Sequence, residues 1–133
     1  MRKGLLVPEK IKLLVVDDEE LICNYVEQRF KKKGFDVLFA LSGEEALVIF
    51  EKERPDIVIL DIMMQGINGI ETFKRIKKIC PNPKVIIVSA LDNNEQIEYL
   101  KTLGVSSYLT KPILLKDLDN LVVKFADEIN SKI

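Results

Sequence analysis

A chain of 133 residues, 47% hydrophobic and 31% charged, is long enough for one domain with a full core and has the balance of a soluble globular protein. Lys and Arg number 20 against 21 Asp and Glu, and the resulting net charge of -1 excludes a global attraction for nucleic acid or an anionic membrane. No apolar run approaches the roughly 20 residues that span a bilayer, and the stretch Met1 to Pro8 is too short in its apolar part for a signal peptide, so a cytoplasmic chain is expected.

The chain contains no His, which removes the usual zinc frameworks and every His-based catalytic dyad. Cys23 and Cys80 lie far apart and read as reduced packing residues. Residues 1–10, with a basic start and Pro8, read as an N-terminal arm, and residues 11–130 as the domain.

Within that domain, apolar β-branched runs alternate five times with segments of helical period. Ile11 to Val16 is the first strand, and Leu21, Ile22, Tyr25, Val26 and Phe30 then recur at helical spacing until Gly34 stops the helix. Phe35 to Phe39 is the second strand. Ser42-Gly43-Glu44-Glu45 has capping-box spacing and opens a helix to about Lys52. Ile57 to Leu60 forms the third strand and ends on Asp61, and the next helix carries Ile70, Phe73, Ile76, Lys77 and Ile79 until Pro81 and Pro83 break it. Val85 to Val88 leads to Ser89, Asn94 to Leu103 is a helix closed by Gly104, Ser107 to Leu109 is a short strand, and Leu115 to Ile129 is the last helix. Strands this apolar need cover on both faces, and right-handed crossovers supply helices on each side. The expected fold is therefore α/β: a parallel five-stranded sheet in a three-layer sandwich.

Ligands of open parallel sheets sit outside the carboxyl ends of the strands. The first strand here ends in Asp17-Asp18-Glu19-Glu20, the third in Asp61 and the fourth in Ser89, while the fifth leads into Lys111. Clustered carboxylates raise one another's pKa unless a cation neutralises them, and carboxylates, a carbonyl and waters suit Mg²⁺. A carboxylate at a strand end can attack phosphorus, with Lys111 and the Ser89 hydroxyl stabilising charge on the phosphoryl oxygens. Taken singly, Asp17 and Asp18 could be a solvated acidic helix start, Lys111 a surface charge, Ser89 a turn residue and Asp61 a helix cap. Their coincidence at matching strand ends favours chemistry.

The order Val15-Val16-Asp17-Asp18-Glu19, Leu60-Asp61-Ile62-Met63-Met64, Val88-Ser89-Ala90 and Leu109-Thr110-Lys111-Pro112 resembles the receiver domains of bacterial two-component response regulators over about residues 11–130. That resemblance implies a flavodoxin-like (βα)5 fold with strand order 2-1-3-4-5. It further implies that Asp61 takes a phosphoryl group from a sensor histidine kinase or a histidine phosphotransfer protein. Asp18, Asp61 and the Met63 backbone carbonyl would ligate Mg²⁺, or Mn²⁺ in its place, with Asp17 acting largely through water. Lys111 would contact the phosphoryl group, the Lys111-Pro112 bond would be cis, and Ser89 with Tyr108 would form a switch pair acting on the face of the fourth helix, fifth strand and fifth helix. A phosphoacceptor signalling domain, not an enzyme acting on external substrates, is implied. Its partners would include a downstream protein or fused output domain, with homodimerisation on phosphorylation compatible and no direct contact with nucleic acid or membrane.

Two positions depart from the family pattern: Gln65 stands where proline is common, and Leu114 where a polar cap often begins the last helix, a loss worth typically about 1 kcal/mol. Four rival readings weigh less. A flavodoxin-type FMN site needs a phosphate loop that four consecutive acids would repel, and a dinucleotide fold needs a G-x-G-x-x-G that no strand precedes. A haloacid-dehalogenase-like Mg²⁺-dependent phosphatase needs a D-x-D signature, and a phosphorylation-independent pseudo-receiver has no need of a complete acid, Ser and Lys set. Kinase identity, output process and oligomeric state leave no mark in the sequence.

Overall fold

The computed structural model describes residues 10–64, 66, 68–90 and 94–131. Residues 1–9 of the expected arm, and Gln65, lie outside the described residues. Ten elements alternate: β1 (Lys12–Val16), α1 (Glu20–Lys32), β2 (Asp36–Ala40), α2 (Gly43–Glu53), β3 (Ile57–Asp61), α3 (Gly69–Ile79), β4 (Lys84–Ser89), α4 (Asn94–Thr102), β5 (Ser107–Thr110) and α5 (Leu115–Asn130). All strand pairs are parallel, and their order is 2-1-3-4-5, as expected.

The period-2 alternation of side chains splits the core in two. Leu13, Val15, Ile57, Ile59, Ile86 and Val88 face α1 and α5, meeting Cys23, Val26, Phe30, Leu118, Val122 and Phe125. Leu14, Val16, Val58, Leu60, Val85 and Ile87 face the opposite layer, meeting Ala46 and Phe50 of α2, Phe73 and Ile76 of α3 and Leu100 of α4. This two-sided burial explains why the strands read as continuous apolar runs. Phe30, Phe50 and Phe73 are among the largest fully buried side chains, and truncating any one to Ala would cost roughly 3–5 kcal/mol.

Local chemistry sets the helix ends. Ser42 Oγ accepts from the Glu45 N–H at 3.1 Å while the Glu45 carboxylate accepts from the Leu41 N–H at 3.0 Å, so the expected capping box closes one residue earlier than the usual pattern. Gly34 lies past the end of α1 at φ 95°, a left-handed conformation that favours glycine. Leu114 is the N-cap of α5 and supplies no side-chain bond to the helix's first N–H groups. Strand β2 begins at Asp36 and not at Phe35, because the Phe35 N–H is spent on the Phe30 carbonyl and its ring packs edge-on against Phe30 at 5.7 Å.

Candidate functional site

Parallel register brings the reactive residues to one end of the sheet. Val16 pairs with Leu60, so Asp17 and Asp61 leave β1 and β3 at the same level. Val88 pairs with Asp61, which puts Ser89 one residue beyond it on the next strand, and Ser89 pairs with Thr110, just before Lys111. The Lys111 N–H closes that edge by donating to the Ser89 carbonyl at 2.8 Å. The expected convergence of Asp17, Asp18, Asp61, Ser89 and Lys111 is the arrangement observed.

The side chains make a compact charge cluster. Asp17 and Asp61 are each only 4% exposed, Ser89 is fully buried, and Asp18 is exposed at the rim. Lys111 Nζ stands 3.2 Å from Asp17 Oδ2 and 3.2 Å from Asp61 Oδ2, with Glu19 Oε1 at 3.9 Å. The remaining oxygens are also engaged: Asp61 Oδ1 accepts from the Met63 N–H at 3.1 Å, and Asp17 Oδ1 from the Glu19 N–H at 2.9 Å. Behind Asp17, the buried Cys23 thiol donates to its backbone carbonyl at 3.3 Å.

Electrostatics follow from this crowding. Burial pushes the Asp61 carboxyl above its usual range and the charge of Asp17 adds to the shift, while Lys111 and the Met63 N–H oppose it. Burial also works against the Lys111 ammonium, yet the charges of Asp17 and Asp61 prevail and raise its pKa. The Cys23 thiol is pushed up to about 12, by burial first and then by Asp17. One ammonium cannot neutralise three carboxylates. Ligand oxygens of Asp17, Asp18 and Asp61 all lie within 4.8 Å of one another, a set of hard donors that fits a hard divalent cation.

The chain matches the response regulator receiver domain over residues 13–123, five-sixths of its length. It belongs to the response regulator receiver family. It is 38% identical over 114 residues to sporulation initiation phosphotransferase F of Bacillus subtilis, covering 86% of this chain and 92% of that one. By contrast, it spans about half the length of curated relatives named "Probable transcriptional regulator ycf27" in Porphyridium aerugineum and Porphyra purpurea. The CheY-like receiver of Methanospirillum hungatei superposes with a TM-score of 0.88 at 25% identity, covering 94% of this chain and all of that chain. A CheX-CheY-BeF3-Mg complex from Borrelia burgdorferi gives 0.81 at 28% identity, with 89% of each chain covered. The protein is thus a receiver domain of two-component signalling, with an acidic cluster near the expected phosphorylation site, and not a flavodoxin or a dinucleotide-binding fold.

Several contributors lay outside the sequence reading. The Met63 N–H, the Glu19 carboxylate and the Cys23 thiol all touch the site, and Gly69 packs against the backbone of Asp61. Only Glu19 had a visible signal, its place in the acidic run. Tyr108 is half-buried in the layer of α2, α3 and α4, and it pairs with Ile87, which faces that same layer two residues before Ser89. Ser89 and Tyr108 therefore share one face of the sheet.

Proposed function

We propose that Asp61 is the phosphoacceptor of this receiver and that Lys111, Asp17 and Asp18 make its transfer chemistry work. The observation carrying the reading is Lys111 Nζ at 3.2 Å from Asp61 Oδ2 within an acidic trio at the carboxyl end of the sheet. An Asp61 carboxylate oxygen attacks phosphorus in the phosphohistidine of a kinase or phosphotransfer protein. A P–O bond forms, the P–N bond breaks, and the imidazole nitrogen keeps the electron pair.

The residues divide the work. Lys111 already bridges Asp61 and Asp17, so it can follow the transferred charge without a large move, and the Met63 N–H orients the nucleophile by holding its other oxygen. Asp18 and Asp61, with the Met63 carbonyl, would hold Mg²⁺, and Asp17 would contribute through water. When bound, the ion supplies positive charge for the phosphoryl oxygens and relieves repulsion among the carboxylates. The Mg and BeF3 named with the Borrelia relative support this assignment by likeness. Only the domain's own phosphorylation and dephosphorylation are expected.

Output would pass through Ser89 and Tyr108. A phosphoryl oxygen draws in the Ser89 hydroxyl, and on the same sheet face the Tyr108 ring turns inward, changing the surface of α4, β5 and α5. The donor protein would meet a different surface. An apolar groove of about 640 Å³ between α1 and the start of α5, lined by Leu21, Tyr25, Pro112, Ile113 and Leu115, runs up to Lys111 itself. A donor whose phosphohistidine reaches Asp61 would rest against that groove, whose apolar lining suits a helix face.

Intact mass after incubation with acetyl phosphate and Mg²⁺ tests the central assignment. One phosphate is expected on the wild-type chain and none on Asp61→Asn; the same labile adduct on the variant would overturn it.

A further inference from the structure

We infer that Gly69 is a positioning residue for the phosphoacceptor, holding α3 close enough to β3 to set where the Asp61 carboxylate and the Met63 peptide stand. The inference rests on Asp61 being the acceptor and concerns what fixes its geometry.

The start of α3 lies against the end of β3. The Gly69 N–H donates to the Ile62 carbonyl at 2.9 Å, so the first residue of α3 lies directly on the peptides that follow the nucleophile. A side chain there has no room. A Cβ on Gly69 would lie 2.5 Å from the Asp61 carbonyl oxygen, 2.5 Å from Ile62 Cα and 2.9 Å from Ile62 Cδ1. Two of these three are backbone atoms, which no rotamer change can relieve. The glycine serves space and not conformation: it is an ordinary helical residue, unlike Gly34, whose φ of 95° makes its backbone the reason for glycine while nothing lies within 4 Å of its missing side chain.

Ordinary carbon contacts begin near 3.5 Å, so a methyl group at Gly69 must drive the backbones apart by roughly an ångström. α3 cannot easily absorb the motion, since Phe73 and Ile76 are fully buried and Thr72, also buried, donates to the Asn68 carbonyl at 2.9 Å. The other side of the contact is the stretch from Asp61 to Met63, which leaves the sheet after Asp61 and is exposed at Met63. Displacing it moves the Met63 N–H that orients the nucleophile and the carbonyl offered to the cation. Such sites work within about 0.5 Å of their productive geometry, and Mg²⁺ tolerates poor octahedral placement badly.

The test compares Gly69→Ala with Gly34→Ala, a strained glycine far from the site, by Mg²⁺ titration calorimetry, thermal unfolding and the rate of phosphorylation by acetyl phosphate at saturating Mg²⁺. Gly69→Ala should lose at least tenfold in Mg²⁺ affinity and in rate while its folded fraction stays near unity. Gly34→Ala should lose stability and neither of the others. Wild-type affinity and rate in folded Gly69→Ala overturn the inference, as does an equal loss in both variants. Should Gly69→Ala not fold, Gly69→Ala with Ile62→Val removes the Cδ1 clash and keeps the backbone ones; the same site defect in that folded chain upholds the inference. Failure of the double variant to fold assigns Gly69 to the fold instead and overturns it. A wild-type chain that takes neither Mg²⁺ nor phosphate would instead defeat the reading of Asp61.

Discussion

Lys111 Nζ lies 3.2 Å from Asp61 Oδ2 while the Met63 N–H holds Oδ1, so both oxygens of a nearly buried carboxylate are occupied before any donor arrives. Even so, burial and Asp17 leave the Asp61 carboxyl above its ordinary range near 3.8. A raised folded-state pKa means that the folded chain binds the proton better than the unfolded one. The stability tied to this group is fully present below the unfolded value and is lost as pH rises through the folded value. Without metal, Asp61→Asn should therefore melt higher than wild type at pH 7, and the gap should close as pH falls toward 4. A variant that melts lower at pH 7 would show that the pairing with Lys111 outweighs the burial of charge.

Asp18 offers a different signature because it is exposed at the rim of the trio and contributes little to packing. Asp18→Ala should leave the melting temperature within a few degrees of wild type and reduce Mg²⁺ affinity by about tenfold or more, since a second shared carboxylate is lost. Titration calorimetry decides it. Equal affinity in the two chains would remove Asp18 from the ligand set.

The two thiols should separate cleanly. Cys23 is fully buried, its thiol donates to the Asp17 carbonyl and its pKa stands near 12, so almost no thiolate exists at pH 8. Cys80 is a free, part-exposed residue after α3. A thiol-disulfide reagent at pH 8 should consume one equivalent rapidly and the second only on unfolding, and Cys80→Ser should abolish the rapid phase. Two rapid equivalents would mean that the base of α1 opens readily.

What the sequence made legible follows from how each feature is encoded. Strands buried on both faces must be apolar throughout, so β1, β3 and β4 stood out, and residues that end them share a level once the register is parallel, which is why Asp17, Asp61 and Ser89 could be grouped. Boundaries carry less information. Phe35 looks like a strand residue by type, yet its N–H and ring are used by the end of α1, and only the fold shows that competition. Contacts between remote segments are the least visible: nothing in Cys23 announces a bond to the carbonyl of Asp17, and a glycine that exists to admit a neighbouring backbone, as Gly69 does, resembles any helix-start glycine.

The proposed relay makes Ser89 and Tyr108 separable from the transfer step. Ser89→Ala should retain phosphorylation by acetyl phosphate at a reduced rate but blunt the response beyond the pocket. Amide shifts with and without beryllofluoride report both parts. Wild type should shift around Asp61 and across residues 94–125, and the variant chiefly around Asp61. An unchanged response at residues 94–125 in the variant would exclude Ser89 as the coupling group.

The groove beside Lys111 separates chemistry from docking. Leu21 is 83% exposed on α1, projects at the groove's edge and belongs to no ion pair or hydrogen bond of the pocket, so a change there spares Asp17, Asp61 and Lys111. A carboxylate placed at that spot would have to be desolvated against the apolar face of an incoming protein, whereas acetyl phosphate never touches it. Leu21→Glu should therefore keep the wild-type rate with acetyl phosphate and lose at least tenfold with a phosphohistidine protein donor, the loss falling on the apparent affinity for the donor and not on the saturated rate. Parallel time courses with the two donors give the answer. An equal loss with both would place the damage in the acceptor site itself, and no loss with either would remove the groove from the docking surface.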